Sequence, residues 1–388
     1  MGIRDCALQS SAFTALKYIY DHREAVAEKW RADGKKIVGQ LGCDVPDELI
    51  LAAGMLPVRV YADQSRPLKE ADKYLEFSFD PVVRSQFEKL VDGSYGNLVD
   101  YLAISNSTDT IVRIFLYLRE IRRQEPEKNV PPIDFIDWLF TRNRMHQERN
   151  ELIIRMFRET LEKWSGHPIT DDDIRSAGAI CNENRAALRR IQALRRCAEP
   201  RITGSEALVI IGASLFMEKE KHTELCLQVA ESAKNWPVAK GPRIYYTGSN
   251  QENTDLYDII EEAGGVVVGE NQDWGDRHYD RDYKMEIDPV RAVVDRYMLR
   301  QYSAKKSFVS QRVEALDAEA AAVRADGVVF FTHAYEEAAS WDYPSQKQSL
   351  ELRGIATAAY AKQIFPIAKN DGLAESVKEF IQQLKGGE

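Results

Sequence analysis

Cysteine is scarce in this chain, with five in 388 residues, at positions 6, 43, 181, 197 and 226. No two stand at CxxC spacing, so no local zinc knuckle or dithiol redox pair is written here. A sparse, odd count suits a reducing compartment, and the expected location is cytoplasmic. Histidine is nearly as rare, six in all. No HxH or HxxxH spacing occurs, which argues against a histidine-built metal centre. The glycine fingerprint GxGxxG is also missing, and that weighs against a nicotinamide dinucleotide. No apolar run approaches the roughly 20 residues of a membrane helix. The opening MGIRDCALQS has no apolar signal core, so secretion is not indicated. Cys6 stands where N-myristoylation needs Ser or Thr. Net positive charge is absent as well. The formal charge is −9, which argues against a nucleic-acid partner.

What is present is an ordinary globular composition, 44% hydrophobic and 29% charged, long enough for two or three cores. Strand and helix signals alternate. Apolar runs at 36–41, 56–61, 99–105 and 131–140 read as strands. A helix is expected over 12–32. PDELILAAG has Pro at its first helical position and Gly54 past its end. Further helices are expected at 82–91 and from Thr108 or Asp109 onward. Near-continuous apolar strands between helices predict a parallel sheet. From 143 to about 236 the strand signal fades into long helical patterns. There Arg189, Arg190, Arg195 and Arg196 fall at helical spacing and read as a solvated face or an interface. Cys181, Cys197 and Cys226 lie in helical patterns and read as small buried hydrophobes. WPVAKGP is a linker. After it come strands RIYYTG and VVVGEN, a helical stretch at 288–325, the strand 327–332, a helix led by Pro344 and a last helix at 371–385. The expected fold is α/β, two Rossmann-like parallel-sheet domains with a helical middle section. The expected division is 1–142, 143–240 and 241–388.

Ligands of such sheets sit beyond the carboxyl ends of the strands. Those ends fall at 42–43, 105–109, 248–250, 271–277 and 333–337, and each supports two readings. Cys43 is either a thiolate acidified near a helix start or a packed thiol. Glu48 is a base at the cleft, or an acid favoured in a helix's first turn. Ser105, Asn106, Thr108 and Asp109 offer an anion or thioester carbonyl a helix N-terminus, or they simply cap it. Gly248 and Asn250 belong to TGSN, too short for a dinucleotide loop. Trp274 and Arg277 form a clamp for phosphate or carboxylate, or a turn closed by an Asp–Arg pair. His333 and Glu336 are an acid/base or metal-ligand pair.

Several segments together carry a resemblance: GCDVPDELILAAGMLPVRV, DYLAISNSTDTIVRI, PRITGSEAL, RIYYTGSNQENTDLYDIIEEAGGVVVGENQDWGDR, and DGVVFFTHAYEEAASWDYP with LRGIA. In order and spacing the chain resembles the 2-hydroxyacyl-CoA dehydratase and ATP-dependent benzoyl-CoA reductase family, in its D-component type of subunit. The resemblance implies paired subunits, with four-iron four-sulfur clusters held by cysteine thiolates at an inter-domain cleft. It also implies a separate ATP-hydrolysing activator that delivers low-potential electrons to an acyl-CoA. This chain departs from the pattern where the ligands are expected. Asp80, Thr108 and Glu336 occupy family cysteine positions, and Asp273–Trp274 stands where some members have another. Hydroxyl and carboxylate are poor substitutes for thiolate on such a cluster.

The expectation is therefore a subunit that binds no cofactor directly and relies on the cluster of a paralogous, cluster-bearing partner. The leading reading is a benzoyl-CoA reductase-like complex reducing an aromatic acyl-CoA. The alternatives are an (R)-2-hydroxyacyl-CoA dehydratase subunit, or a scaffold that binds acyl-CoA without doing chemistry. The expected catalytic set is His333, Glu336, Asp109 and Glu48. The expected substrate-binding set is Cys43, Ser105, Asn106, Thr108, Gly248, Asn250, Trp274 and Arg277.

Overall fold

Strands linked by helices run from residue 37 to 136 and again from 243 to 363 in the computed structural model, which describes residues 2–303, 306–367 and 372–386. Strands β1 (Ile37–Leu41), β2 (Leu56–Arg59), β3 (Tyr101–Ser105) and β4 (Ile133–Ile136) form one sheet in the order β2-β1-β3-β4. Strands β5 (Arg243–Gly248), β6 (Val266–Asn271), β7 (Gly327–His333) and β8 (Ala356–Gln363) form a second in the order β6-β5-β7-β8. Every strand pairing is parallel. The fold is α/β, with the same winding in both sheets. β1 and β7 are buried along their whole length, as parallel strands covered by helices on both faces must be. In each sheet the chain crosses first to one side of its opening strand and then to the other. The switch points therefore lie between β1 and β3, and between β5 and β7.

The helices Arg144–Ser165, Asp171–Arg196, Gly204–Ala213 and Lys219–Ala233 occupy the middle of the chain. They recruit other segments. Phe13, Leu16 and Tyr20 of the helix Ser11–Asp21 share a core with Leu188, Ile210 and Val229. Val293 and Tyr297 of the helix Pro289–Met298 share one with Val38, Leu49 and Trp138. Two fully buried ion pairs bolt the helix Asp171–Arg196 to the sheets on either side. Arg185 pairs with Glu48 of the helix Asp47–Ala52, and Arg195 pairs with Glu270 of β6. Arg195, expected on a solvated face or an interface, is 1% exposed. The Glu270 carboxylate and the Val267 carbonyl, 2.9 Å from Arg195 Nε, give its guanidinium a place inside.

Other expectations change in detail. The stretch 12–32 is two helices, Ser11–Asp21 and Ala25–Ala32, because His22 leaves the helical region at φ −117°, ψ 63°. The stretch 288–325 is also two helices, Pro289–Met298 and Val309–Ala322. Between them the chain carries Arg300 and Lys306 toward the first sheet; residues 304 and 305 lie outside the described residues. The helix expected from Pro344 begins earlier and spans Ala338–Leu352 with Pro344 inside it. β4 is shorter than the run 131–140, since Pro131 and Pro132 offer no ladder donor. β8 was not expected. Its sequence ATAAYAKQ is half-exposed and neither apolar nor cleanly alternating. The last helix is Leu373–Gly386, and its expected start at residue 371 lies outside the described residues. Cys197 is exposed rather than buried, at the cap beyond Arg196.

Candidate functional site at the paired switch points

Both switch points open into one cavity of about 330 Å³. The first sheet lines it with Cys43, Ser107, Thr108 and Asp109. The second contributes Gly248, Asn250, Asp273, Arg277 and Glu336. Two glycines make this convergence possible. Gly42 leaves β1 at φ +93°, where an added Cβ would stand 2.5 Å from Ser105 Oγ and 2.9 Å from the Ser105 carbonyl. Gly248 leaves β5 at φ +133°, where a Cβ would be 2.0 Å from the Phe331 carbonyl. Only glycine adopts these conformations in so little space.

Beyond Gly42 the backbone is caught by hydroxyls. Cys43 N–H donates to Ser107 Oγ at 2.9 Å, and Asp44 N–H donates to Ser105 Oγ at 3.1 Å. Ser105 thus lies in the floor beneath the cavity. Asn106 turns the other way, donating to Asp137 (2.7 Å) and to the Trp138 carbonyl (2.9 Å). Neither residue lines the cavity. Thr108 caps the helix Asp109–Gln124, accepting the Ile111 N–H at 3.2 Å. Thr108 and Asp109 both reach the wall, so a helix N-terminus with its partial positive charge borders the space.

The floor is strongly charged. Asp44 is fully buried and pairs with Lys306 and with Arg300, 3.2 Å away. Burial opposes its ionisation, but the two cations outweigh burial and lower its pKa. Asp273 behaves alike. Burial is overcome by Arg277, 3.4 Å away, and by Arg300 and Lys306, so its pKa falls. The Cys43 thiol meets the opposite field. Burial, then Asp273 and Asp44, push it up to about 11. It is a neutral thiol donating toward Asp44 at 3.4 Å, and the acidified thiolate reading does not hold. On the far wall, burial and then the Asp80 carboxylate push Glu336 up to about 7. Asp80 is itself raised to about 6, mainly by burial, although it accepts the Val82 and Val83 N–H groups as a helix cap. The fold thus sets the carboxyls of Asp80 and Glu336 within electrostatic reach of each other.

Besides Ser105 and Asn106, three more expected site residues do not reach the cavity. Glu48 is 0% exposed, paired with Arg185 and accepting the Tyr297 hydroxyl at 3.0 Å. Burial is outweighed by Arg185, and its pKa is lowered. His333 is buried between the rings of Phe331 and Phe365, 5.2 and 5.7 Å away, and burial drops it to about 4. Trp274 is 2% exposed, packed on Phe216 beneath Arg23. Sequence reasoning in turn missed Lys306 and Arg312, which line the cavity, and Arg300, which pairs with Asp44; Arg312 pairs with Asp342. Lys306 and Asp44 are 262 residues apart, and no local spacing signals a pair so distant.

A thiolate-held cluster does not fit this donor set. Cys43 is the sole thiol in the lining, and it holds its proton. Thr108 and Glu336 supply oxygen. Among the described residues no three His, Cys, Asp or Glu side chains are grouped to hold a metal ion.

The family described as 2-hydroxyglutaryl-CoA dehydratase, D-component, matches residues 11–384. The chain is 26% identical over 344 residues to the (R)-phenyllactyl-CoA dehydratase beta subunit of Clostridium sporogenes, covering 87% of each. It is 22% identical over 340 residues to the beta subunit of (R)-2-hydroxyglutaryl-CoA dehydratase of Acidaminococcus fermentans, covering 84% of this chain and 87% of that one. It is 24% identical over 257 residues to a benzoyl-CoA reductase subunit of Thauera aromatica, covering 63% and 64%. Among the described residues no helix is long and apolar enough to cross a membrane.

Proposed function

The chain belongs to the 2-hydroxyglutaryl-CoA dehydratase, D-component, family, and from that premise we propose that it is the cluster-lacking member of a cytoplasmic complex acting on an acyl-CoA. A paralogous partner carries the four-iron four-sulfur cluster, and an ATP-hydrolysing activator feeds it electrons. This chain contributes half of the substrate cleft and binds no cofactor itself. The observation that carries the reading is the donor set at the paired switch points, where Thr108, Asp109 and Glu336 present oxygen to the cavity.

Each wall has a task in this proposal. The N-terminus of the helix Asp109–Gln124 favours the partial negative charge of a thioester carbonyl. Arg277 and Lys306 extend the positive side of the cleft. Glu336, raised to about 7 by burial and Asp80, exchanges a proton near neutral pH, as general acid–base work requires. Exposed Phe77, Tyr335 and Trp341, 78%, 47% and 78% accessible, support a partner surface near the cavity mouth, because Tyr335 adjoins Glu336 and Trp341 adjoins the lining residue Ser340. Patches of this kind mark interaction sites.

Between the two chemistries, dehydration of a 2-hydroxyacyl-CoA has the wider support, since the dehydratase relatives align over 84–87% of this chain. Reduction of an aromatic acyl-CoA is the second reading, supported by the likeness to the benzoyl-CoA reductase relative over 63%. Co-expression with neighbouring subunits, followed by assay of ATP-dependent turnover on 2-hydroxyacyl-CoA and aromatic acyl-CoA substrates, tests the proposal. Turnover that needs this chain is expected. Full turnover without it refutes a catalytic contribution and leaves a scaffold.

A further inference from the structure

Behind the cleft floor lies a second chamber of about 20 Å³. Cys43 lines both spaces. The chamber wall is cationic, with Arg59, Arg185, Lys219, Arg296 and Arg300 facing Asp47 as its one carboxylate among the described residues. Most of these cations have a partner. Lys219 pairs with Asp47 at 3.0 Å, Arg185 with Glu48, Arg296 with Asp280 at 3.0 Å, and Arg300 with Asp44 at 3.2 Å. Asp44 is shared with Lys306. Arg59 donates to the Gly42 carbonyl at 2.7 Å and makes no ion pair among the described residues. Positive charge is therefore in excess around a buried space.

The hydrogen bonds point the same way. Arg59, Arg296 and Arg300 are 9%, 2% and 4% exposed. In each the Nε–H is buried without an acceptor. Arg300 Nε stands 3.8 Å from Asp280, beyond hydrogen-bond reach, although the same guanidinium lies 3.2 Å from Asp44 and 3.7 Å from Asp273 through its other nitrogens. A buried charged donor left unpaired costs stability, and here three residues that carry such a donor line one small chamber. Carboxylates outweigh burial and raise Arg185 and Arg300, whereas two other groups of the wall are lowered. His278, also in the wall, is pushed well below its ordinary value by burial and by Lys219. Arg296 is lowered by burial and by Arg185.

The Asp47 carboxylate is already held by Lys219 and Gln40, so a guest that binds the Nε–H donors must be an acceptor. The volume exceeds the roughly 10–15 Å³ that one water needs, and it leaves no room for phosphate or a metabolite carboxylate. Water would satisfy the donors but not the charge. We propose that the chamber is a binding site for one halide-sized monovalent anion, held by the Nε–H groups of Arg59, Arg296 and Arg300. The bound anion sets the position of Arg300, whose Nη1 donates to the Cys43 carbonyl at 2.6 Å and to the Asp44 carboxylate at 3.2 Å, and whose Nη2 donates to the Arg277 carbonyl at 2.6 Å. The site thereby braces the cleft floor from behind. It rests on this chain's own residues and stands whichever acyl-CoA chemistry applies.

The test uses the full chain. Thermal melting is followed in chloride, bromide and gluconate at constant ionic strength, and crystals soaked in bromide are measured at the bromine absorption edge. Expected are a saturable rise in Tm with chloride and bromide but not gluconate, and an anomalous peak between the three guanidinium groups. Arg59→Gln should lose the saturable rise. Equal melting in all three salts, an unchanged halide response in Arg59→Gln, or a chamber filled by water with no bromine peak would overturn the proposal. Should Arg59→Gln fail to fold, the anomalous map of the wild-type chain decides.

Discussion

Replacing Glu48 by glutamine separates a structural carboxylate from a catalytic one. Glu48 is fully buried, paired with Arg185 and accepting the Tyr297 hydroxyl at 3.0 Å. Glutamine keeps the shape and an acceptor for Tyr297, but it removes the charge that Arg185 faces. Breaking a buried ion pair from one side costs about 3–5 kcal/mol. Each kcal/mol lowers Tm by roughly 2–4 °C in domains of a few hundred residues. Glu48→Gln should therefore melt on the order of 10 °C below the wild type by circular dichroism. Turnover per folded molecule in the assembled complex should be unchanged. The double variant Glu48→Leu, Arg185→Met removes both charges and should be more stable than either single change. The sign of the pH dependence follows from the lowered pKa of Glu48. Its stabilisation is present above the unfolded value of about 4.5 and lost as pH falls through the folded value, so acid narrows the gap between variant and wild type. A Glu48→Gln chain that melts with the wild type but loses turnover would refute this reasoning and return Glu48 to the reaction.

Other outcomes follow from the same geometry. Cys43, raised to about 11, should react with iodoacetamide at pH 8 roughly 100-fold more slowly than an ordinary thiol, because only thiolate attacks; the exposed Cys197 should be modified first in a mass-spectrometric time course. Glu336 is raised to about 7, so its contribution to stability is full below the unfolded value near 4.5 and is lost as pH rises through about 7. Glu336→Gln should flatten the decline of Tm between pH 5 and 8, and an unaltered pH profile would count against the buried carboxyl. Gly248→Ala forces a Cβ to within 2.0 Å of the Phe331 carbonyl and should cost on the order of 3–5 kcal/mol. Gly34→Ala, at φ +74° with nothing within 4 Å, should cost only about 1–2 kcal/mol; equal denaturation midpoints for the two would show that β5 does not need its glycine.

The parallel sheets were legible because their strands are short apolar runs between helices, and the place of the cavity followed from where those runs end. β8 was hidden because an edge strand that is half-exposed, ATAAYAKQ, carries neither periodicity. The break between the helices Pro289–Met298 and Val309–Ala322 was hidden because its cause is tertiary: Arg300 and Lys306 are drawn to Asp44, far away in sequence. The candidate site divides the same way. Thr108, Asp109, Gly248, Asn250, Arg277 and Glu336 stand at strand ends and line the cavity. Glu48, His333 and Trp274 stand equally close to strand ends but point into packed cores, and sequence gives no direction for a side chain beyond the last paired residue. The sign of the Cys43 shift also depended on neighbours, Asp44 and Asp273, that act from opposite parts of the chain.

The central claim is that oxygen has replaced sulfur around this cleft, so the chain alone should not hold an iron–sulfur cluster. Anaerobic purification of the isolated chain, followed by iron and acid-labile sulfide analysis, tests it most directly. A colourless protein with iron and sulfide far below stoichiometric is predicted. A brown protein with near-stoichiometric iron and sulfide, and the charge-transfer absorption of a cluster, would contradict the claim.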